Sequence, residues 1–297
     1  MKKRPILTAL LILITICATF FLIVLGLSYF GDQYSYGLAS DRIAVIKIEG
    51  AILDSEPSIE KIIKFRKNKG VKAIILRINS PGGAVAPSQE IYREVKKACK
   101  EKKVVVSMES IAASGGYYIA CAADTLFANP GTLVGSIGVI LQLENIEELL
   151  KKIGLKSKVI KSGKYKDIGS MTREMTEQEE AILQNFSDDI HSQFIDAVAE
   201  GRNMKREEVV KLADGRIFAG EQALELGLID NLGNLQDAIA MTAEMVGIEG
   251  EPKVIYPSKE KLTILDFIFQ EAASSIVRIV EKMVHDKINV YYLSPSH

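Results

Sequence analysis

The stretch VVVSMESIAASGGYYIACAA, residues 104–123, reads as a strand that runs into a helix across one serine and two glycines. Its first part, VVVSM (104–108), is a β-branched run with the unbroken apolar character of a strand covered on both faces. Residues 114–122 then have the composition of a short helix. Ala112, Ala113, Gly115 and Gly116 leave the Ser114 hydroxyl without bulky neighbours. Open α/β sheets keep their sites at such a strand-to-helix junction.

The same alternation extends to either side. IAVIKI (43–48), AIILRI (73–78), TLFA (125–128) and KVI (158–160) are further candidate strands, and helical patterns occupy 58–68, 87–100 and 145–153. Strands separated by helices of 10–15 residues predict βαβ units and a largely parallel sheet, an α/β fold. Beyond Gly169 the chain turns helical, at 176–200, 205–213, 220–226 and 235–246. Thr176 is a good cap for the first of these, with Glu177, Glu179 and Glu180 in its opening turn. Gly227 and Gly247 are plausible stops. Residues 41–247 therefore read as one domain, and 248–297 as a C-terminal helical extension whose helix at 261–285 carries an apolar stripe.

Ahead of the domain, residues 6–27 form 22 positions without a charge, preceded by Lys2, Lys3 and Arg4. At ~1.5 Å per residue such a helix spans roughly 33 Å, enough for a hydrocarbon core of ~30 Å. The run exceeds the ~7–15 residues usual for a signal-peptide core. Residues 1–30 are thus expected to be a cytoplasmic tip and single-pass anchor and 31–40 a linker, with the domain on the far side of the cell membrane.

Composition narrows the chemistry. With 37 basic against 38 acidic side chains and 47% hydrophobic residues, neither disorder nor nucleic-acid binding is expected. Three cysteines cannot build a dense disulfide framework, and no CxxC or HExxH pair offers a zinc site. The lysines between Lys151 and Lys166 read as a solvated face; their contact with anionic lipid is an expectation for a tethered protein.

Three Gly/Ser clusters fall at strand ends. Asn79-Ser80-Pro81-Gly82-Gly83 exposes backbone amides, the raw material of an oxyanion hole. Ala112-Ala113-Ser114-Gly115-Gly116 has the outline of a nucleophile elbow, with Ala112 where a glycine is expected. Gly135-Ser136-Ile137-Gly138-Val139 is a third turn inside an apolar stretch. A nucleophilic serine needs a base, yet His285 and His297 are terminal and His191 reads as surface. Lysine is the remaining choice, acting when burial keeps it neutral. Lys164 and Lys166 both follow the strand expected at 158–160, and composition does not choose between them.

RINSPGG (77–83), SMESIAASGGYYIACAAD (107–124), LVGSIGVI (133–140), SGKYKDIGS (162–170) and ADGRIFAGEQALELGLIDNLG (213–233) together resemble the signal peptide peptidases of serine-peptidase family S49, in their short single-domain form. Order and spacing match over residues 43–246. The resemblance implies a crotonase/ClpP-like α/β fold and a serine endopeptidase with a Ser/Lys dyad. Ser114 would be the nucleophile and Lys166, in the YKD position, the general base. Ser136 would orient the lysine amine, and the backbone N–H groups of Gly83 and Ser114 would form the oxyanion hole. No metal or organic cofactor is implied. The family pattern also implies a dyad shared between neighbouring copies in a homo-oligomer, an octamer, acting on remnant signal peptides and unfolded secreted proteins. Two rivals share parts of this pattern: an S49 membrane peptidase with other substrates, and a crotonase-type acyl-CoA enzyme. An extracytoplasmic domain argues against the second, because acyl-CoA is cytoplasmic.

Overall fold

The computed structural model describes residues 41–257 together with Thr15, Ile16 and Thr19, which are helical. Apart from those three positions, the run at 6–27, the linker at 31–40 and the helix expected at 261–285 lie outside the described residues. No helix among the described residues is long and apolar enough to cross a membrane. The chain divides into two compact units, Met1–Tyr256 and Pro257–His297, and the architecture below is that of the first.

In chain order the first half contains β1 (Arg42–Glu49), α1 (Glu56–Lys67), β2 (Val71–Ser80), α2 (Val85–Cys99), β3 (Lys103–Ala113), α3 (Gly115–Ala120), β4 (Thr125–Ala128) and β5 (Leu133–Gly135). There follow α4 (Glu147–Lys152), α5 (Glu177–Arg202), α6 (Arg206–Val210), β6 (Ile217–Ala219), α7 (Gly220–Glu225), β7 (Asn231–Leu232), α8 (Leu235–Met245) and β8 (Lys253–Ile255). The strands form one mixed sheet in the order β6-β5-β3-β2-β1-β8, with β4 joining β3 to β7. The pairings are parallel except β5 with β6, which is antiparallel.

The central strands are buried on both faces, which is why they read as continuous apolar runs. Ile46, Ile74, Leu76, Val104 and Val106 face one core, shared with Ile62 and Phe65 of α1, Ile91 and Val95 of α2, and Phe194 and Val198 of α5. Ile43, Val45, Ile75, Val105 and Phe127 face the other, closed by Ala238, Ile239 and Ala243 of α8. Burying each such large side chain contributes about 1.5–3 kcal/mol relative to exposure. Tyr117 is fully buried on α3, and its hydroxyl donates to Leu228 O at 2.7 Å.

β3 positions the rest. Its first half pairs with β4 through Val105–Ser107, and its second half pairs with β5 through Ile111–Ala113. Between them the register against β2 shifts, from Ile78 opposite Met108 to Ser80 opposite Ala112. The strand therefore bends away from β4, and its end gains β5 as a new neighbour.

Three expectations meet a different structure. Residues 158–160 form no strand: they are exposed and pair with no strand among the described residues. The helix expected at 145–153 is only Glu147–Lys152 and buries none of its residues. The sheet also runs past 247, since β8 pairs with Arg42–Ala44 of β1.

Candidate active site

Register brings the three Gly/Ser clusters to one place. Ser80 lies opposite Ala112 and Ala113 opposite Gly135, so the turns leaving β2, β3 and β5 emerge side by side. Ser114 follows directly on Ala113 and Ser136 on Gly135, which sets the two serines next to each other at the sheet end.

Ser114 has φ 50° and ψ −122°, a conformation that an L-residue adopts at a cost of about 1–3 kcal/mol. Two hydrogen bonds hold it there. Its N–H donates to Gly135 O at 2.9 Å, and its C=O accepts from Tyr118 N at 2.8 Å. The result is a sharp strand-to-helix turn that presents the half-buried hydroxyl. Ser136 also has φ 50°, and its N–H donates to Arg216 O at 2.9 Å, next to β6.

The β2 turn packs hard against this elbow. A Cβ on Gly82 (φ 96°) would lie 2.6 Å from Gly115 N and 2.8 Å from Ser114 Cβ, and one on Gly83 would lie 2.2 Å from Ile52 O. Only glycine backbone lets these segments approach. Ser80 fixes the turn from below, accepting from Gly82 N at 3.1 Å and donating to Gly50 O at 2.6 Å. Ile52 clamps it from the side, donating to Gly82 O at 2.9 Å and accepting from Ala84 N at 2.8 Å. That pattern skips the Gly83 N–H, which has no acceptor among the described residues.

One sequence expectation needs correction here. The Ser114 N–H is spent on Gly135 O, so it is not free to stabilise an oxyanion. The amide left without an acceptor among the described residues is the next one, Gly115. Gly83 and Gly115 are thus the two backbone donors beside the hydroxyl. Sequence could not show this, because the Ser114 amide is occupied only through the β3–β5 register.

Two openings meet at Ser114. One, of about 350 Å³, is lined by Gly83, Val85, Ser114, Ser136, Val139 and Ile140 among others. A smaller one, of about 40 Å³, lies between Ser114, Val85, Tyr118, Val139, Ile190 and Phe194 and is largely apolar. Ser114, Ser136 and Gly83 are therefore gathered in one cleft.

Lys166 is not part of it within this chain. It is exposed, lies on the loop between α4 and α5, and lines neither opening. Its neighbours are occupied. Lys161 pairs with Asp167, and Lys164 bonds Gln178 and lies 5.1 Å from the centre of the Tyr165 ring. The Lys166 amine has no partner among the described residues. His191, expected at the surface, is half-buried on α5, and its buried Nε2 has no hydrogen-bond partner. It lines neither opening. Among the described residues no group of His, Cys, Asp or Glu could hold a metal ion.

This arrangement matches a known family. Residues 96–249 fit the description of peptidase family S49. The chain belongs to that family. A proposed protease of Synechocystis sp. is 48% identical over 209 residues, which are 70% of this chain and 76% of that protein. Protease 4 of Salmonella typhi is 35% identical over 264 residues, 84% of this chain and 42% of that protein. The chloroplastic serine protease SPPA of Arabidopsis thaliana is 34% identical over 261 residues, 86% of this chain and 39% of that protein. Among solved structures, a serine-to-alanine variant of the membrane-bound stomatin-specific protease 1510-N superposes with a TM-score of 0.52 at 17% identity. That likeness covers 75% of this chain and all of the other, and it concerns the fold. The chain is accordingly an S49 serine peptidase of the SppA type, with a mixed α/β sheet consistent with the ClpP-like fold.

Proposed function

We propose that this S49 peptidase is a membrane-anchored endopeptidase that degrades remnant signal peptides with a Ser114/Lys166 dyad completed between two copies of the chain. The observation that carries the reading is the Ser114 elbow, with its strained backbone, the free amides of Gly83 and Gly115, and an apolar opening alongside. Neutral Lys166 takes the proton of Ser114 Oγ, and the oxygen attacks the peptide carbonyl. The two amides stabilise the tetrahedral oxyanion, and the lysine then hands the proton to the leaving amine. Water repeats the sequence on the acyl-enzyme and releases the acid.

The sharing of the dyad rests on distance. Asp167, next to Lys166, is tied through Arg173 to Glu179 in the first turn of α5, whereas Ile190 and Phe194 of the same helix wall the Ser114 opening. Glu179 and Ile190 are 11 residues apart, about 16 Å at 1.5 Å per residue. Lys166 is thereby held at the far end of α5 from its own serine. Insertion into a second copy's cleft would take the amine out of water and favour the neutral form a base must have. The small apolar opening suits an alanine- or valine-sized side chain, as signal peptides offer near their ends. The charge-free run at 6–27 supplies the tether.

The test is hydrolysis of a synthetic signal peptide by detergent-solubilised protein carrying Ser114→Ala or Lys166→Ala. Each variant alone is expected to be inactive and to assemble normally. A mixture of the two, after subunit exchange, should regain part of the activity. Near-full activity in Lys166→Ala would remove the dyad, and no recovery on mixing would remove its sharing. Cleavage of membrane proteins in preference to signal peptides would point to the other S49 substrate class.

A further inference from the structure

The loop that carries Lys166 is tied to the start of α5 by Lys164 and Tyr165, which bond Gln178, and most extensively by Arg173. Arg173 offers five N–H donors in a planar fork, and all five are used. Nε donates to Asp167 Oδ2 at 3.0 Å, and Nη2 to Asp167 Oδ1 at 3.0 Å and to Asp167 O at 3.3 Å. From the opposite edge, Nη1 donates to Glu179 Oε2 at 2.8 Å and Nη2 to Glu179 Oε1 at 2.5 Å, and Nη1 also reaches Glu174 O at 2.9 Å. Glu179 is a fixed point: it is 3% exposed and accepts from Thr176 N and Thr176 Oγ1, both at 3.0 Å, within the capping box of α5. Arg173 therefore couples the residue adjoining Lys166 to the first turn of a 26-residue helix.

We infer that Arg173 is a positioning residue for Lys166, fixing through Asp167 and Glu179 the point from which the lysine reaches the serine. Lys166 itself has no partner among the described residues, so its placement depends on its backbone. Consecutive Cα atoms are about 3.8 Å apart, so the handles are the adjoining residues: Tyr165, with one 3.3 Å bond from its hydroxyl to Gln178, and Asp167, held by the charged fork of Arg173. The turn Gly163–Lys166, closed by Lys166 N to Gly163 O at 3.2 Å, passes that restraint to the lysine. The charges agree with the geometry: Arg173 holds the Glu179 carboxyl down at about 2 and, together with Lys161, holds that of Asp167 well below the usual carboxylate range.

The inference rests on the proposal that Lys166 is the base, and the experiment separates the two. Full-length assemblies of Arg173→Gln, Arg173→Lys, Lys166→Ala and the double variant Lys166→Ala/Arg173→Gln are compared by kcat, KM and assembly size. A base displaced by about 1 Å should cost Arg173→Gln about 10²-fold in kcat, with KM within about twofold of the parent. Arg173→Lys keeps the charge without the fork and should recover only part of that loss. Groups that act as one unit are not additive, so adding Arg173→Gln to Lys166→Ala should lower the residual rate no further. Parental kcat in Arg173→Gln overturns the inference, and so does a full additional loss in the double variant, which would mark a merely structural arginine. If Arg173→Gln does not assemble, Arg173→Lys decides, and parental kcat in that variant overturns it. Near-full activity of Lys166→Ala is a different failure, that of the base assignment.

Discussion

At the scale of single residues, the site depends on backbone groups that have no alternative employment. Gly83 combines the two demands on such a position. On the proposed mechanism its N–H must stay free, and its Cα lies against Ile52, where a Cβ would come within 2.2 Å of a carbonyl oxygen. Gly83→Ala should push the turn away from Ile52 and carry the amide out of reach of the oxyanion. Losing one such donor costs about 10²–10³ in kcat. The check is kcat for a chromogenic peptide, with Ser114 labelling by a fluorophosphonate as a second readout; an unchanged kcat would deny the amide its role. At this scale the sequence was legible as to which residues gather in the cleft and silent as to which of their backbone atoms are free. Ser114, Gly83 and Ser136 stand out because small residues cluster at strand ends. That the Ser114 amide is already committed to Gly135 O, leaving Gly115, depends on a pairing between segments 21 residues apart in the chain.

At the scale of elements, long periodic helices and central strands were readable and short edge strands were not. α5 begins where Thr176 and the glutamates placed it, because capping is local chemistry. β5, β6 and β7 are three, three and two residues long, too short for any period, and they form where β3, β5 and β4 respectively offer them edges. Conversely, 158–160 has strand composition without a neighbour to pair with. The start of α5 also titrates. Glu179 is held at about 2, from an ordinary value of 4.5, first by its bonds to Arg173 and then by the Thr176 N–H. A carboxylate whose folded value is depressed stabilises the fold fully above its unfolded value, and that contribution disappears as pH falls. The stabilisation should therefore be complete above pH ~4.5 and be lost between there and pH ~2. Melting temperature measured across this window should fall less steeply in Glu179→Gln than in the parent, although the variant starts lower at pH 7. Parallel curves would show that this carboxyl is not the one titrating.

At the scale of the whole molecule, the segment between β5 and α5 does not look like the surface of a protein that works alone. Ile140 is 83% exposed and Ile160 90%, and Ile153, Leu155 and Val159 are each more than half exposed. Single exposed apolar residues need no explanation, but several along one segment mark an interaction surface. The same segment carries Lys166, which lines neither opening at Ser114, and an exposed stretch at 156–160 that pairs with no strand among the described residues. A second copy of the chain would cover the apolar side chains, could pair with the free backbone and would receive the lysine, so one contact answers three separate deficits. Ile160→Asp separates assembly from folding, because the side chain touches almost nothing within its own chain. A surface substitution of this kind should shift stability by no more than about 0.5 kcal/mol. A buried unpaired carboxylate at an interface, in contrast, costs several kcal/mol. The variant should therefore melt like the parent and yet sediment as a smaller species in detergent, with peptide hydrolysis lost in proportion. Restoring assembly by tethering or by raising the protein concentration should restore activity along with it. A monomeric Ile160→Asp protein that hydrolyses peptide at the parental rate would show that one chain holds a complete site, and that Lys166 reaches its own Ser114 by a route this conformation does not display.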